Sequence, residues 1–414
     1  MPELLRKFVK IFSLLICSAI CLGQNERFQA NPAITDSIYS ESLKEYRSFY
    51  IQYPDRFDAT NNNKYPVAFV LDGEFLMLTV HNFQGYYSGG FTPEMILVGV
   101  SNLKNRTRDL TTSKITESYG MPYNRENGKA NNFANFISKE LIPYIENKYP
   151  VTNYRTLIGH SYGGLFTIFS LLHHPELFAN YVAIDPSLDW DNQKLINDAK
   201  EILASNNFEG KSLFMSLNGQ LHWQDLNITI DNVMEDDTGS TLFARSNITF
   251  RKLVEQNHSN GLNIHWKFYP MDLHGTIQFP SVRDGLISIF EWFQMENTDK
   301  INSFETSNDE LTKVIRFRAK KLQEHFGYVV PPYPEDLLNM SGYMSMDMGN
   351  TERAKMYFEF GMEFYPKSAN AYDSMSEFYE RNKDNESALK FAQMAHNIDQ
   401  SDYYTQKVER LKND

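Results

Sequence analysis

Cysteine is close to absent. The 414 residues hold two, Cys17 and Cys21, both inside an apolar run near the N-terminus. Removal of that run leaves no disulfide framework, no thiol nucleophile and no cysteine ligand for a metal. No H-E-x-x-H pair occurs, and His173-His174 runs straight into proline, so no metal constellation is read. A glycine-rich phosphate cradle is also missing, and no cofactor is expected. Basic residues are outnumbered, 40 Lys and Arg against 52 Asp and Glu. That balance argues against a nucleic-acid partner and against anionic membrane surfaces.

A comfortable membrane span is lacking too. The run from Ile11 to Leu22 is too short for one, follows Arg6, Lys7 and Lys10, and ends in Cys21-x-Gly23. It reads as a secretory signal over residues 1–23, cleaved near Gly23, for an exported protein that is periplasmic or secreted. Ile16 and Ile20 stand where a lipoprotein signal wants a small residue, so lipidation is not expected. Cleavage takes the formal charge from −12 to about −14.

What the chain does have is the stretch Arg155 to Phe166, with a G-x-S-x-G core from Gly159 to Gly163. Thr156-Leu157-Ile158 before it reads as a buried strand end. Leu165, Phe166, Ile168, Phe169, Leu171 and Leu172 after it read as a buried helix. A serine at such a strand-to-helix turn has its hydroxyl pushed out at the top of a sheet, and glycines at Gly159 and Gly163 allow the close approach. Ser161 is therefore read as a nucleophile.

Around this turn the chain alternates strands and helices. Pro66 to Leu71 and Met95 to Val100 are short apolar runs of the kind covered on both faces, and Tyr181 to Ile184 and Ser212 to Leu217 read as further strands. Asn132 to Lys148, Leu195 to Leu203, Thr241 to Gln256 and Val282 to Met295 have helical periods. The expected fold class is α/β, an α/β-hydrolase domain with a mostly parallel sheet over residues 24–296.

A serine hydroxyl needs a base, and in this fold the histidine comes late, after the last strand. His274 fits, because it follows the strand ending at Tyr269. The orienting acid is expected between Leu217 and Asn263, where Asp225, Asp231, Glu235, Asp236 and Asp237 all qualify by order. The oxyanion hole needs two backbone N–H donors, assigned to Tyr162 after the nucleophile and Glu74 after Asp72-Gly73. Tyr162, Trp190, Trp223 and Tyr269 are candidates for an aromatic substrate wall.

With these residues in hand, the chain resembles the Putative esterase family of α/β-hydrolases, which includes siderophore esterases, feruloyl esterases and S-formylglutathione hydrolase. The matching pieces are Tyr50 to Pro54, Pro66 to Glu74, Asn105-Arg106-Thr107-Arg108-Asp109, Gly159 to Gly164, Ile184 to Asp191 and His274-Gly275. The resemblance implies a serine esterase acting on a small-molecule or carbohydrate-linked ester. It also implies Glu74 as an oxyanion donor and points to Asp237 as the acid. Arg108 and Trp190, inside matching pieces, are carried as substrate-binding candidates. Acyl transfer on the same site, or an interaction protein working through its C-terminal repeats, are the alternative readings.

Composition changes after residue 296. Residues 297–336 read as a linker and 337–414 as helical repeats. Ala354 and Ala388, Gly349 and Lys383, and Tyr343 and Glu377 are each 34 apart, the period of tetratricopeptide repeats. Two repeats are few for autonomous stability, so this block is expected to dock on the hydrolase domain and to offer a possible protein contact.

Overall fold

The computed structural model describes residues 33–413 apart from 56, 58–62 and 119. The N-terminal segment read as an export signal lies outside the described residues. The chain divides into two units, the first ending at Trp292 and the second running from Phe293 to Asp414.

The first unit is built on one sheet of eight strands. These are β1 (Ile34–Ser40), β2 (Glu45–Gln52), β3 (Tyr65–Leu71), β4 (Ile96–Val100), β5 (Val151–His160), β6 (Asn180–Ile184), β7 (Ser212–Asn218) and β8 (Asn263–Tyr269). Their order across the sheet is β1-β2-β4-β3-β5-β6-β7-β8. The pairs β1–β2 and β2–β4 are antiparallel, and every later pair is parallel. A small hairpin pairs Glu117–Ser118 with Met121–Pro122.

Parallel strands need crossovers, and these carry helices: α1 (Gly73–Tyr87), α2 (Arg106–Leu110), α3 (Ala130–Phe136), α4 (Tyr162–His173), α5 (Trp190–Ser205) and α6 (Leu242–Gln256), while α7 (Gln278–Ile289) follows the last strand. Helix α3 passes through a π turn, Ile137–Leu141, into a further helical run, Ile142–Lys148. Alternation along the strands divides the sheet between two helix layers. Leu157, Tyr181, Ala183, Leu213 and Met215 join the core with residues of α3, α4 and α5. Val182 and Phe214 point the other way, where a Cβ on Gly285 of α7 would stand about 3 Å from each. Covered on both faces, β3, β4 and β6 are buried along their whole length.

The register brings distant residues to one edge. Gly159 pairs with Ala183 and His160 with Ile184, so the residues after β5 and β6 emerge side by side. Tyr269 pairs with Asn218, placing the ends of β7 and β8 next along the same edge. Sites in open parallel sheets lie at the carboxyl ends of the strands, which is where Asn218 ends β7 and where Ser161, Asp185 and His274 follow theirs.

In the second unit the stretch 297–336, read as a linker, carries the short helix Thr298–Ile301 and then α8 (Asn308–Phe326). Helix α8 buries Leu311, Val314, Ile315, Leu322 and Phe326 as an apolar stripe, with Arg318 buried among them, and its many charges disguise that stripe in sequence. Ser307 caps it by accepting the Glu310 N–H. Helices α9 (Glu335–Asp347), α10 (Thr351–Phe364), α11 (Ala369–Arg381), α12 (Asn385–Ile398) and α13 (Asp402–Asn413) follow. Helices α11 and α12 repeat the bounds of α9 and α10 with an offset of 34 residues. The turns agree as well: Gly349 and Lys383 both have positive φ, and Asn350 and Asp384 both cap the helix that follows. Ala354 and Ala388 are fully buried at the equivalent helix crossings.

Candidate active site

Ser161 stands between β5 and α4 with φ 60° and ψ −116°. No β-carbon residue adopts that backbone without outside support, and here neighbours supply it. The Ser161 N–H donates to the Ile184 carbonyl at 3.0 Å, and its own carbonyl accepts the Ser187 N–H at 3.1 Å. The turn is tight as expected at Gly159, where a Cβ would lie 2.3 Å from the Gly163 carbonyl oxygen. Gly163, expected to be equally constrained, meets only ordinary contacts from Asp72 and Leu71; the second tight glycine is Gly164, packed on Pro186. The Ser161 hydroxyl rests 3.2 Å from the Ser187 hydroxyl.

His274, in the loop after β8, donates its Nδ1–H to Asp185 Oδ2 at 2.6 Å. A carboxylate acceptor fixes the proton on Nδ1 and leaves Nε2 as a base. Asp185 is fully buried and held in place from its other side: Oδ1 accepts the Asn218 N–H at 3.0 Å and Oδ2 the Asn218 amide at 2.5 Å. The carboxylate at the histidine is thus Asp185, directly after β6, and not Asp237. Asp237 is exposed in the loop before α6 and lies outside the cavity lining. The reason is register: the residue after β6 is hydrogen-bonded into the same edge as the histidine loop, while the chain after β7 runs away through a long polar segment.

His160, just before Ser161, supports the base from below. Its Nε2–H donates to the His274 carbonyl at 2.9 Å, and the two rings lie 4.6 Å apart. Burial pushes the His160 pKa down to about 3, with the neighbouring His274 and Arg106 adding to the effect, so this ring is neutral. Phe243 of α6 meets His274 edge-on at 5.4 Å.

Tyr162 and Glu74 occupy the first turns of α4 and α1, where a helix leaves N–H groups without internal partners. The two turns are joined by Arg106. Its Nε donates to both Asp72 oxygens at 2.9 Å, its Nη2 to the His160 carbonyl at 3.0 Å, and it lies over the Tyr162 ring. Burial raises the Asp72 carboxyl pKa, and Arg106 opposes that rise.

Arg108, carried as a substrate-binding candidate, does not reach this place. It is bound to Glu45 at 2.6 Å and to Asp109 at 2.7 Å, and it holds the Glu45 carboxyl down at about 2. Its role is to tie α2 to β2. Trp190 does line the cavity, with its indole N–H on the Ser113 carbonyl at 3.0 Å and its ring against Tyr123 and Tyr162.

Ser161 and His274 open into one cavity of about 710 Å³, walled in part by Ile115, Trp190, Leu221 and Phe243. His160, Asp185 and His274 also bring donor atoms within 4.8 Å of one another, as metal ligands would be. Here the atoms are engaged in the contacts just described, which suits proton transfer better than coordination. Asp185, His160, Asn218 and Arg106 are the residues the sequence reading passed over. The signal for Asp185 was its place immediately after an apolar strand, in a stretch already matched to the family.

A family model described as Putative esterase matches residues 40–288. The chain is 36% identical over 100 residues to the siderophore enterobactin esterase of Emericella nidulans, covering 23% of this chain and 31% of the relative. It is 32% identical over 157 residues to ferri-bacillibactin esterase BesA of Bacillus subtilis, covering 34% and 54%. The matches therefore span about half or less of these curated relatives. Among solved structures, an IroE-like serine hydrolase from Shewanella oneidensis superposes with a TM-score of 0.64 at 26% identity, over 80% of this chain and 99% of that one.

Proposed function

The chain belongs to the Putative esterase family, and on that premise we propose that it hydrolyses small-molecule carboxylic esters through an acyl-enzyme on Ser161. The Ser161 hydroxyl turns from Ser187 to His274 Nε2, gives up its proton there and attacks the ester carbonyl. Asp185 holds the ring by its Nδ1–H and offsets the imidazolium charge. The tetrahedral oxyanion accepts hydrogen bonds from the Tyr162 and Glu74 N–H groups. The imidazolium then protonates the alkoxide, the alcohol leaves, and water activated by His274 releases the acid.

The observation that carries this reading is the 2.6 Å Asp185–His274 hydrogen bond beside a cavity that also receives Ser161. The names of the relatives put siderophore esters among the substrates to try. A panel of p-nitrophenyl, feruloyl, acetyl-sugar and siderophore esters tests it. The wild type should turn over at least one, and Ser161→Ala should lose several orders of magnitude in kcat. Near-normal turnover by folded Ser161→Ala removes the proposal. For the second unit we propose tetratricopeptide-like repeats serving protein contact, on the strength of the 34-residue offset between its helix pairs.

A further inference from the structure

The cavity at Ser161 is charged one way. Glu117, Asp189 and Asp191 are among its lining residues, and no lysine or arginine is among the described residues that line it. The same wall carries the aromatic residues Trp190, Trp223 and Phe243. Asp191 stands in a run of three left-handed residues, with φ of 51°, 51° and 65° from Asp191 to Gln193. Three nearby arginines are committed elsewhere, Arg106 to Asp72 and the His160 carbonyl, Arg108 to Glu45 and Asp109, and Arg245 to the Thr238 carbonyl and the Thr241 hydroxyl.

An anionic ester entering this space would give up water for carboxylates of its own sign, with no lysine or arginine among the described lining residues to receive it. An ammonium group carried beside an ester would instead meet carboxylates and the faces of aromatic rings. We propose that the cavity selects esters whose acid or alcohol part is positively charged, accepts neutral ones less well, and excludes polyanions. This inference rests on the esterase reading and adds to it the charge class of the substrate.

Three fluorophosphonates of matched size, ending in trimethylammonium, tert-butyl or sulfonate, are compared by their second-order rate constants for labelling Ser161 in the full chain. At low salt the trimethylammonium probe should react about tenfold faster than the tert-butyl probe, and the sulfonate probe more slowly still. Raising the salt should compress that order. Asp191→Asn and Asp189→Asn should each lower the cation-to-neutral ratio. A ratio near one at low salt, or a sulfonate probe as fast as the neutral one, overturns the preference while leaving the esterase reading intact. Full retention of the ratio in the Asp189→Asn, Asp191→Asn double variant overturns the assignment to these carboxylates. Failure of all three probes to label removes the esterase reading and the preference together.

Discussion

Asp185 and Asp237 differ in what surrounds them, and that difference is measurable. Asp185 is buried, bonded to Asn218 and 2.6 Å from His274 Nδ1, whereas Asp237 is solvated. Asp185→Asn should lower kcat about a thousandfold or more by favouring the wrong histidine tautomer, while Asp237→Asn stays within about twofold of wild type. Steady-state kinetics on any ester the wild type accepts decides between them, and the reverse ranking would refute the assignment. His160 makes a second prediction at this scale. Its pKa falls from the ordinary 6.5 to about 3 on folding. The unfolded chain therefore binds more protons between these values, so this stabilising contribution is full above about pH 6.5 and is lost as pH falls toward 3. His160→Gln keeps an N–H donor and removes the titration. Its unfolding free energy should fall less steeply from pH 7 to 4 than that of the wild type, the difference in slope reaching at most about 1.4 kcal/mol per pH unit. Parallel curves would show that the ring does not carry this proton linkage.

At the scale of elements, what could be read from sequence was what local chemistry dictates. The turn at Ser161 announces itself through glycine, a buried strand end and an apolar helix, all between Thr156 and Leu172. The position of His274 follows from the end of β8. The acid was not legible in the same way, because strand order alone allows a carboxylate after β6 or after β7. Only hydrogen-bond register decides which meets the imidazole. Helix α8 is hidden for another reason: its charges conceal a stripe of Leu311, Val314, Ile315, Leu322 and Phe326 that the buried Arg318 interrupts. The second unit offers a test of the repeat itself. Ala354 and Ala388 occupy equivalent, fully buried crossings. Ala388→Leu and Ala354→Leu should each destabilise the full chain by about 1–3 kcal/mol, seen by circular dichroism on thermal unfolding. If both are silent, the close helix crossings that the period implies are not there.

The site is assembled from stretches of the first unit that lie far apart in the chain. Asp185 and His274 are 89 residues apart in the chain, and His160 and His274 are 114 apart. They meet only when β8 has closed on β7, and loop closure over such spans is the slow part of folding. Helical signal should therefore return before reactivity when the denatured chain is diluted into buffer. Stopped-flow circular dichroism set against quenched fluorophosphonate labelling of Ser161 would measure the two, and labelling that keeps pace with the helices would show the elbow to be competent alone. On the proposed mechanism the strand order acts as a timer: a newly made chain would stay chemically inert until its last parallel strand is in place.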